Sequence, residues 1–298
     1  MENTRPTRVL VLGASGMLGN AVLQVFAGSP SYQVHGTVRS GAAQGLLPQG
    51  LRGHLISGVD VENVDSVARV LGQLRPQVVI NCIGLVKQLA EAEDPLSALP
   101  INALLPHRLA RLCELVQARF VHVSTDCVFS GSKGLYTEDE LPDATDLYGR
   151  SKLLGEVDYP HAVTLRTSII GHELNSAHGL VGWFLAQTGR VKGYRRAVFS
   201  GLPTAVLAGV IRDHVIPNPE LRGVHHVSAA PINKFDLLNL VAGTYGHRID
   251  ITPDDALCID RSLDSSRFRA KTGYVPAEWP ELVRQMHAFQ SVSTDRHD

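Results

Sequence analysis

A continuously apolar run, Val9-Leu10-Val11-Leu12, passes without a spacer into Gly13-Ala14-Ser15-Gly16-Met17-Leu18-Gly19. Such a run is the pattern of a strand buried on both faces, and the glycines end it at once. Leu18, Ala21, Val22, Val25 and Phe26 then recur at helical spacing until Gly28 and Pro30, and Tyr32 to Val38 supplies a second strand. Strand, tight turn, helix and strand form a βαβ unit, which demands a parallel sheet with helices over its faces.

The alternation continues. Strands are predicted near His54 to Gly58, at Val78 to Cys82, at Phe120 to Ser124 and at Val163 to Thr167. Helices are predicted over Val61 to Leu74, about Leu96 to Val116, and after Tyr148. This is the α/β class: a Rossmann-type doubly wound parallel sheet with ligands at the carboxyl ends of its strands. Residues 1–170 are expected to form that domain, and residues 171–298 a smaller C-terminal α/β substrate lobe whose elements are free to cross back. In the lobe, Pro203 to Val215, Asn233 to Tyr245 and Trp279 to Phe289 look helical, and Gly223 to Ser228 looks like a strand.

With 44% hydrophobic and 19% charged residues, the chain has apolar surface enough for a sizeable core. Its 28 basic and 29 acidic side chains argue against a nucleic-acid binder, whose affinity comes from clustered Lys and Arg. Glycine and polar residues interrupt the N-terminal apolar stretch too often for a membrane span or a signal peptide. Cys82, Cys113, Cys127 and Cys258 show no CxxC spacing. A cytoplasmic protein with reduced thiols is expected, with no partner nucleic acid or membrane. His225-His226 and the His172 to His178 stretch lack metal-ligand spacing, so no metal is expected.

The GxxGxxG turn is a variant of the dinucleotide fingerprint, in which glycines let the backbone approach a pyrophosphate at a helix N-terminus. Gly13, Ser15, Gly16, Met17 and Leu18 are the cofactor-binding candidates there. An NAD site places an acid about 20 residues further on. No Asp or Glu occurs between Glu2 and Asp60, and the second strand ends in Arg39, whose guanidinium suits a 2′-phosphate. The expected cofactor is therefore NADP(H); the alternative is that Arg39 is a solvated surface charge. Asp60-Val61 follows the third strand, where Asp60 either reaches the adenine or caps the next helix. Cys82, Ile83 and Gly84 end the fourth strand, where a cofactor ribose would approach the backbone.

Tyr148 and Lys152 stand four residues apart on one helix face, where both converge on one ligand. A nearby cation favours the phenolate and would move the phenol toward its working range, so Tyr148 is the expected proton donor to a carbonyl receiving hydride. Ser124-Thr125-Asp126-Cys127 ends the preceding strand, and the Thr125 hydroxyl is placed to bond the same oxygen.

Four segments resemble, in order, the motifs of an extended short-chain dehydrogenase/reductase of the dTDP-4-dehydrorhamnose reductase type. They are Gly13 to Gly19, Ser124 to Gly131, Tyr148 to Glu156 and Leu165 to Ser168. The resemblance implies a catalytic set of Thr125, Tyr148 and Lys152, with Lys152 also holding nicotinamide ribose hydroxyls and Asn102 near the active site. It implies NADPH reduction of the 4-keto group of a nucleotide-linked deoxysugar. Thr167 joins the cofactor candidates. Lys87, Asp126, Cys127, Ile169 and Trp183 join Thr125 and Tyr148 as substrate candidates; Lys87 serves either the substrate or an ordinary surface. Relatives often carry an aromatic where Cys127 stands and a Trp where Ile169 stands, which leaves a different sugar open. Arg195, Arg196 or Arg261 would suit a diphosphate, and a homodimer is the expected assembly.

Dehydratases of this fold carry a Glu at the Cys127 position, and a thiol is not an equivalent base. An epimerase with tightly bound cofactor remains an alternative. So does a non-catalytic, NADP-binding regulatory subunit like that of methionine adenosyltransferase, which would not need an intact catalytic set. The cofactor reading predicts that Arg39→Ala weakens NADPH relative to NADH, measured as the ratio of the two dissociation constants; an unchanged ratio removes Arg39 from the site.

Overall fold

The computed structural model describes residues 5–87 and 90–294, so Gln88, which closes the segment begun by Asn81, lies outside the described residues. The elements that position the site are β1 (Thr7–Leu12), α1 (Met17–Ala27), β2 (Tyr32–Val38), β3 (Leu55–Ser57), β4 (Val78–Asn81), β5 (Arg119–Thr125) and β6 (Ala162–Thr167). With Gly223–His226 they make one 7-stranded sheet in the order Gly223–His226, β6, β5, β4, β1, β2, β3. Every neighbouring pair is parallel. The strand order reverses between β1 and β4, which is where a doubly wound sheet opens its ligand crevice.

Successive residues of a strand point to opposite faces. Val9 and Val11 therefore pack with Ala21, Val22 and Phe26 of α1, whereas Leu10 and Leu12 pack on the other face with Val67, Val70, Leu105 and Leu109. Chain beyond residue 170 contributes to both regions. Gly223–His226 extends the sheet beside β6, and the helix Thr204–Val210 packs on α1. Arg190–Tyr194 pairs with Asp250–Asp254, and Ala197–Phe199 lies between Ile232–Asn233 and Ile259–Asp260. Among the described residues no helix is long and apolar enough to cross a membrane.

Three local details differ from the sequence reading. The helix expected from Val61 starts at Val64, because the Asn63 side chain caps it by accepting from the Asp65 and Ser66 amides. Asp60 is thus not the cap; its carboxylate accepts from the Glu62 amide instead. The long helix expected from Leu96 to Val116 comes as Pro95–Ala98, a π-helical turn over Leu99–Leu104, and Leu105–Leu115. Likewise Thr204–Val210 passes into a π-helical stretch, Ile211–Val215.

Between β5, β6 and the edge strand lies a buried polar knot. Arg166 on β6 grips Glu156 with two bonds, Nε to Oε1 at 2.7 Å and Nη2 to Oε2 at 2.6 Å. Both side chains are only 6% exposed. The Ser124 hydroxyl donates to Glu156 Oε1 at 2.8 Å. His226 Nδ1 lies 3.0 Å from the Tyr136 carbonyl and its Nε2 lies 3.3 Å from Arg166 Nη1. Burial pushes His226 down to about 4, so the ring is neutral and accepts from Arg166. Removing one partner of such a pair strands the other charge in a low-dielectric interior. Arg166→Met is therefore expected to destabilise the fold by about 3–5 kcal/mol in urea unfolding, and Glu156→Leu in the same chain to restore part of the loss.

Candidate functional site

The glycine turn is fixed by close approach. Gly13 has φ +81°, and a side chain there would come 2.7 Å from Ile83 Cγ1. A methyl on Gly19 would overlap the Gly13 carbonyl oxygen, so α1 starts directly against the turn. The Gly13 amide donates to Thr37 Oγ1 at 3.3 Å and the Ala14 amide to the Thr37 carbonyl at 2.9 Å, which ties the turn to the end of β2. No side chain caps α1 and its first turn holds no acid. The Gly16 amide donates to the Gly13 carbonyl at 3.0 Å, and the amides of Ser15, Met17 and Leu18 stand at the positive end of the helix dipole. That donor set fits a dinucleotide pyrophosphate. Arg39 is exposed just past β2, and beyond β3 Asp60 is exposed while Val61 is buried.

Past β4, Cys82 and Ile83 are half-buried and Gly84 is open. Burial pushes the Cys82 thiol up to about 12, so it stays protonated. A methyl added to Gly84 would stand 3.4 Å from Asn102 Oδ1 and 3.6 Å from Lys152 Nζ, so this backbone faces both. Asn102, in the π-helical turn, clamps the same loop. Its Oδ1 accepts from the Leu85 amide at 2.9 Å, and its Nδ2 donates to the Leu85 carbonyl at 3.3 Å and Ser151 Oγ at 3.2 Å.

The helix Leu147–Leu154 carries Tyr148 and Lys152. Asp146 caps it, accepting from the Gly149 amide at 2.9 Å. A side chain on Gly149 would overlap the Cys127 carbonyl oxygen, so this glycine brings the helix onto the turn after β5. There the Thr125 side chain comes near enough to the Tyr148 phenol to act on its titration. Thr125 Oγ1 also accepts from the Cys127 amide at 3.1 Å and donates to Asp126 Oδ1 at 3.2 Å.

Electrostatics here follow burial first. Burial drives the Tyr148 phenol above its ordinary value, with the Thr125 hydroxyl pulling the other way. Lys152 turns its ammonium to the Val123 carbonyl, 2.9 Å away, and burial brings it down to about 8 against the opposing charge of Glu156. The downward shift expected of the phenol is thus reversed. At neutral pH it is an acid holding its proton, which is the state a proton donor needs.

The remaining candidates are placed as follows. Lys87 pairs with Asp146 at 2.9 Å, fastening the loop after β4 to the cap of the Tyr148 helix. Asp126 is buried, and burial raises its carboxyl while Arg261 and Lys234 oppose the shift. The Cys127 thiol is pushed up to about 12, chiefly by burial. Thr167 is buried and donates to the Ser168 carbonyl at 3.1 Å; Ile169 is half-buried and pairs with Leu202. Trp183 is 40% exposed on the helix Leu180–Leu185, whereas its neighbour Phe184 is buried edge-on to His247. Arg195 is taken up by Asp255, and Arg261 Nε donates to the Phe129 carbonyl at 2.8 Å. Gly84, Asn102, Thr125, Asp126, Tyr148 and Lys152 therefore form one cluster, with Arg39 and Asp60 at the ends of strands on the far side of β1. Sequence reasoning missed Lys234. Its signal was its place: a cation opening the helix Lys234–Tyr245, where the dipole disfavours positive charge.

Among similar proteins, dTDP-4-dehydrorhamnose reductase of Streptomyces griseus is 35% identical over 150 residues, 50% of this chain. Methionine adenosyltransferase 2 subunit beta of Rattus norvegicus is 27% identical over 154 residues, 52% of this chain. Each alignment spans 43% of the relative's length, so the chain matches less than half of these proteins. The fold is shared with the crystal structure of dTDP-4-dehydrorhamnose reductase from Bacillus anthracis in complex with NADP. That likeness has a TM-score of 0.78 at 21% identity and covers 97% of this chain and 100% of the other. The family model described as the RmlD substrate binding domain matches residues 7–288, and the chain belongs to that family.

Proposed function

We propose that the protein is an NADPH-dependent reductase of a nucleotide-linked 4-keto-6-deoxysugar. The observation that carries this reading is the convergence of Thr125, Tyr148, Lys152 and Gly84 at strand ends next to the glycine turn. NADPH, when bound, supplies the hydride for the carbonyl carbon. Tyr148 gives its phenolic proton to the carbonyl oxygen as that oxygen gains charge, and the Thr125 hydroxyl orients the same oxygen. The Lys152 ammonium is near enough to Gly84 to hold ribose hydroxyls there and to stabilise the phenolate left behind. Arg39 and the absence of an acid at the end of β2 favour the phosphorylated dinucleotide, in keeping with the NADP held by the Bacillus anthracis relative. Asp126, Cys127, Lys87, Ile169 and Trp183 make up the sugar and nucleotide side.

The similarity to methionine adenosyltransferase 2 subunit beta supports a second reading, a role in binding another enzyme. The intact Thr125, Tyr148 and Lys152 set weighs against it, because binding alone does not need all three groups. Stoichiometric NADPH oxidation with a panel of keto-sugar nucleotides separates reduction from epimerisation, which has no net oxidation. Tyr148→Phe removes one oxygen from the site and is expected to lower turnover roughly 100-fold or more with NADPH affinity retained. Turnover close to that of the unaltered protein would rule out Tyr148 as the donor.

A further inference from the structure

Among the described residues, Lys234 is a cation without a conventional partner. Its ammonium sits 3.7 Å from the centroid of the Phe199 ring, a cation–π contact. Among the described residues it makes no hydrogen bond and no ion pair, although the charges of Asp126 and Cys127 both reach it. The residue is half-buried, and burial brings it down to about 8. Three N–H donors are therefore held in poor solvent within electrostatic reach of the Asp126 carboxylate. Asp126 in turn accepts from Thr125, whose side chain also acts on the Tyr148 phenol. The position works against stability in two ways: the ammonium is desolvated without acceptors, and it stands at the positive end of a helix dipole. An ammonium and a carboxylate that feel each other yet form no ion pair can be bridged by a group that accepts from one and donates to the other. A hydroxyl does both. A carboxylate or phosphate would meet repulsion from Asp126.

We propose that Lys234 is a specificity-determining residue, its ammonium donating to a sugar hydroxyl whose own proton is accepted by Asp126, on a ring carbon close to the carbonyl held by Thr125 and Tyr148. This rests on the reductase reading and adds to it which part of the sugar is read and by what. The pair would select a substrate bearing that hydroxyl over its deoxy analogue, because losing the hydroxyl leaves two buried charged groups unmatched.

The test uses the full-length protein and Lys234→Met, with NADPH and the keto-sugar nucleotide that the unaltered protein reduces best, together with analogues each lacking one ring hydroxyl. The variant is expected to keep its NADPH affinity and to melt no lower than the parent. Its KM should rise about tenfold or more with kcat little changed, as for loss of a hydrogen bond to a charged group. One deoxy analogue should show no difference between variant and parent. An unchanged KM, or a rise of equal size for every analogue, overturns the assignment. If the methionine variant loses NADPH binding, Lys234→Arg decides by the same comparison: a loss confined to substrates bearing one hydroxyl supports the proposal, and a uniform loss or none overturns it. If the unaltered protein oxidises NADPH with no member of the panel, the reductase reading itself fails and this assignment falls with it.

Discussion

The bidentate pair of Arg166 and Glu156 is the contact on which the placement of the site depends. Glu156 lies two residues past the helix that carries Tyr148 and Lys152, and Arg166 lies on β6. Two buried charges tolerate little displacement, since any movement that parts them exposes each to a medium that cannot solvate it. Ser124 joins the same carboxylate from β5, one residue before Thr125. The end of β5, the end of the Tyr148 helix and β6 are therefore drawn to one point. At the other end of that helix, Asp146 and Gly149 set its approach to the turn holding Cys127. Held at both ends, the phenol has little freedom relative to the threonine hydroxyl, which is the condition for a proton donor to act without reorganisation.

The crevice divides chemically along the sheet. On the β1–β2 side, backbone amides, a helix dipole and an exposed arginine offer diffuse positive potential with no acid in the first turn of α1. On the β5 side, the functional groups are side chains, and each is shifted by burial. The phenol is raised, the lysines at 152 and 234 are lowered, and Asp126 is raised. Every one of these shifts favours the neutral form. Low local polarity also strengthens the hydrogen bonds made there, so the same burial that alters the titrations sharpens the geometry.

The sheet was legible because a strand buried on both faces leaves an uninterrupted apolar run, and Val9 to Leu12, Val78 to Ile80 and Val163 to Leu165 are such runs. The glycine turn was legible for a related reason: Gly13 and Gly19 are demanded by contact, so their spacing carries the geometry. The π-helical turn at Leu99–Leu104 was not legible, because a change of hydrogen-bond register alters no residue's polarity and hardly disturbs the apolar period. The choice of Asn63 over Asp60 as cap turned on three residues of loop, below the resolution of pattern reading. Spacing put Lys152 beside Tyr148, yet it could not weigh charge against burial, which the whole surrounding fold determines. Lys234 escaped notice because its relation to Asp126 joins segments more than a hundred residues apart in sequence.

A π-helical turn accommodates one residue more than its α-helical counterpart. In this chain the surplus residue falls in the turn whose Asn102 side chain holds the Leu85 backbone. Excising a residue between Leu99 and Leu104 would return the stretch to regular α-helical winding and shift the register of Asn102 within it. The carboxamide would then aim elsewhere, and the loop that carries Gly84 would lose its anchor while the hydrophobic packing of Leu105–Leu115 stayed nearly as before. This stretch should therefore accept exchanges of side chain far more readily than changes in length, a constraint on descent that no comparison of residue types would disclose.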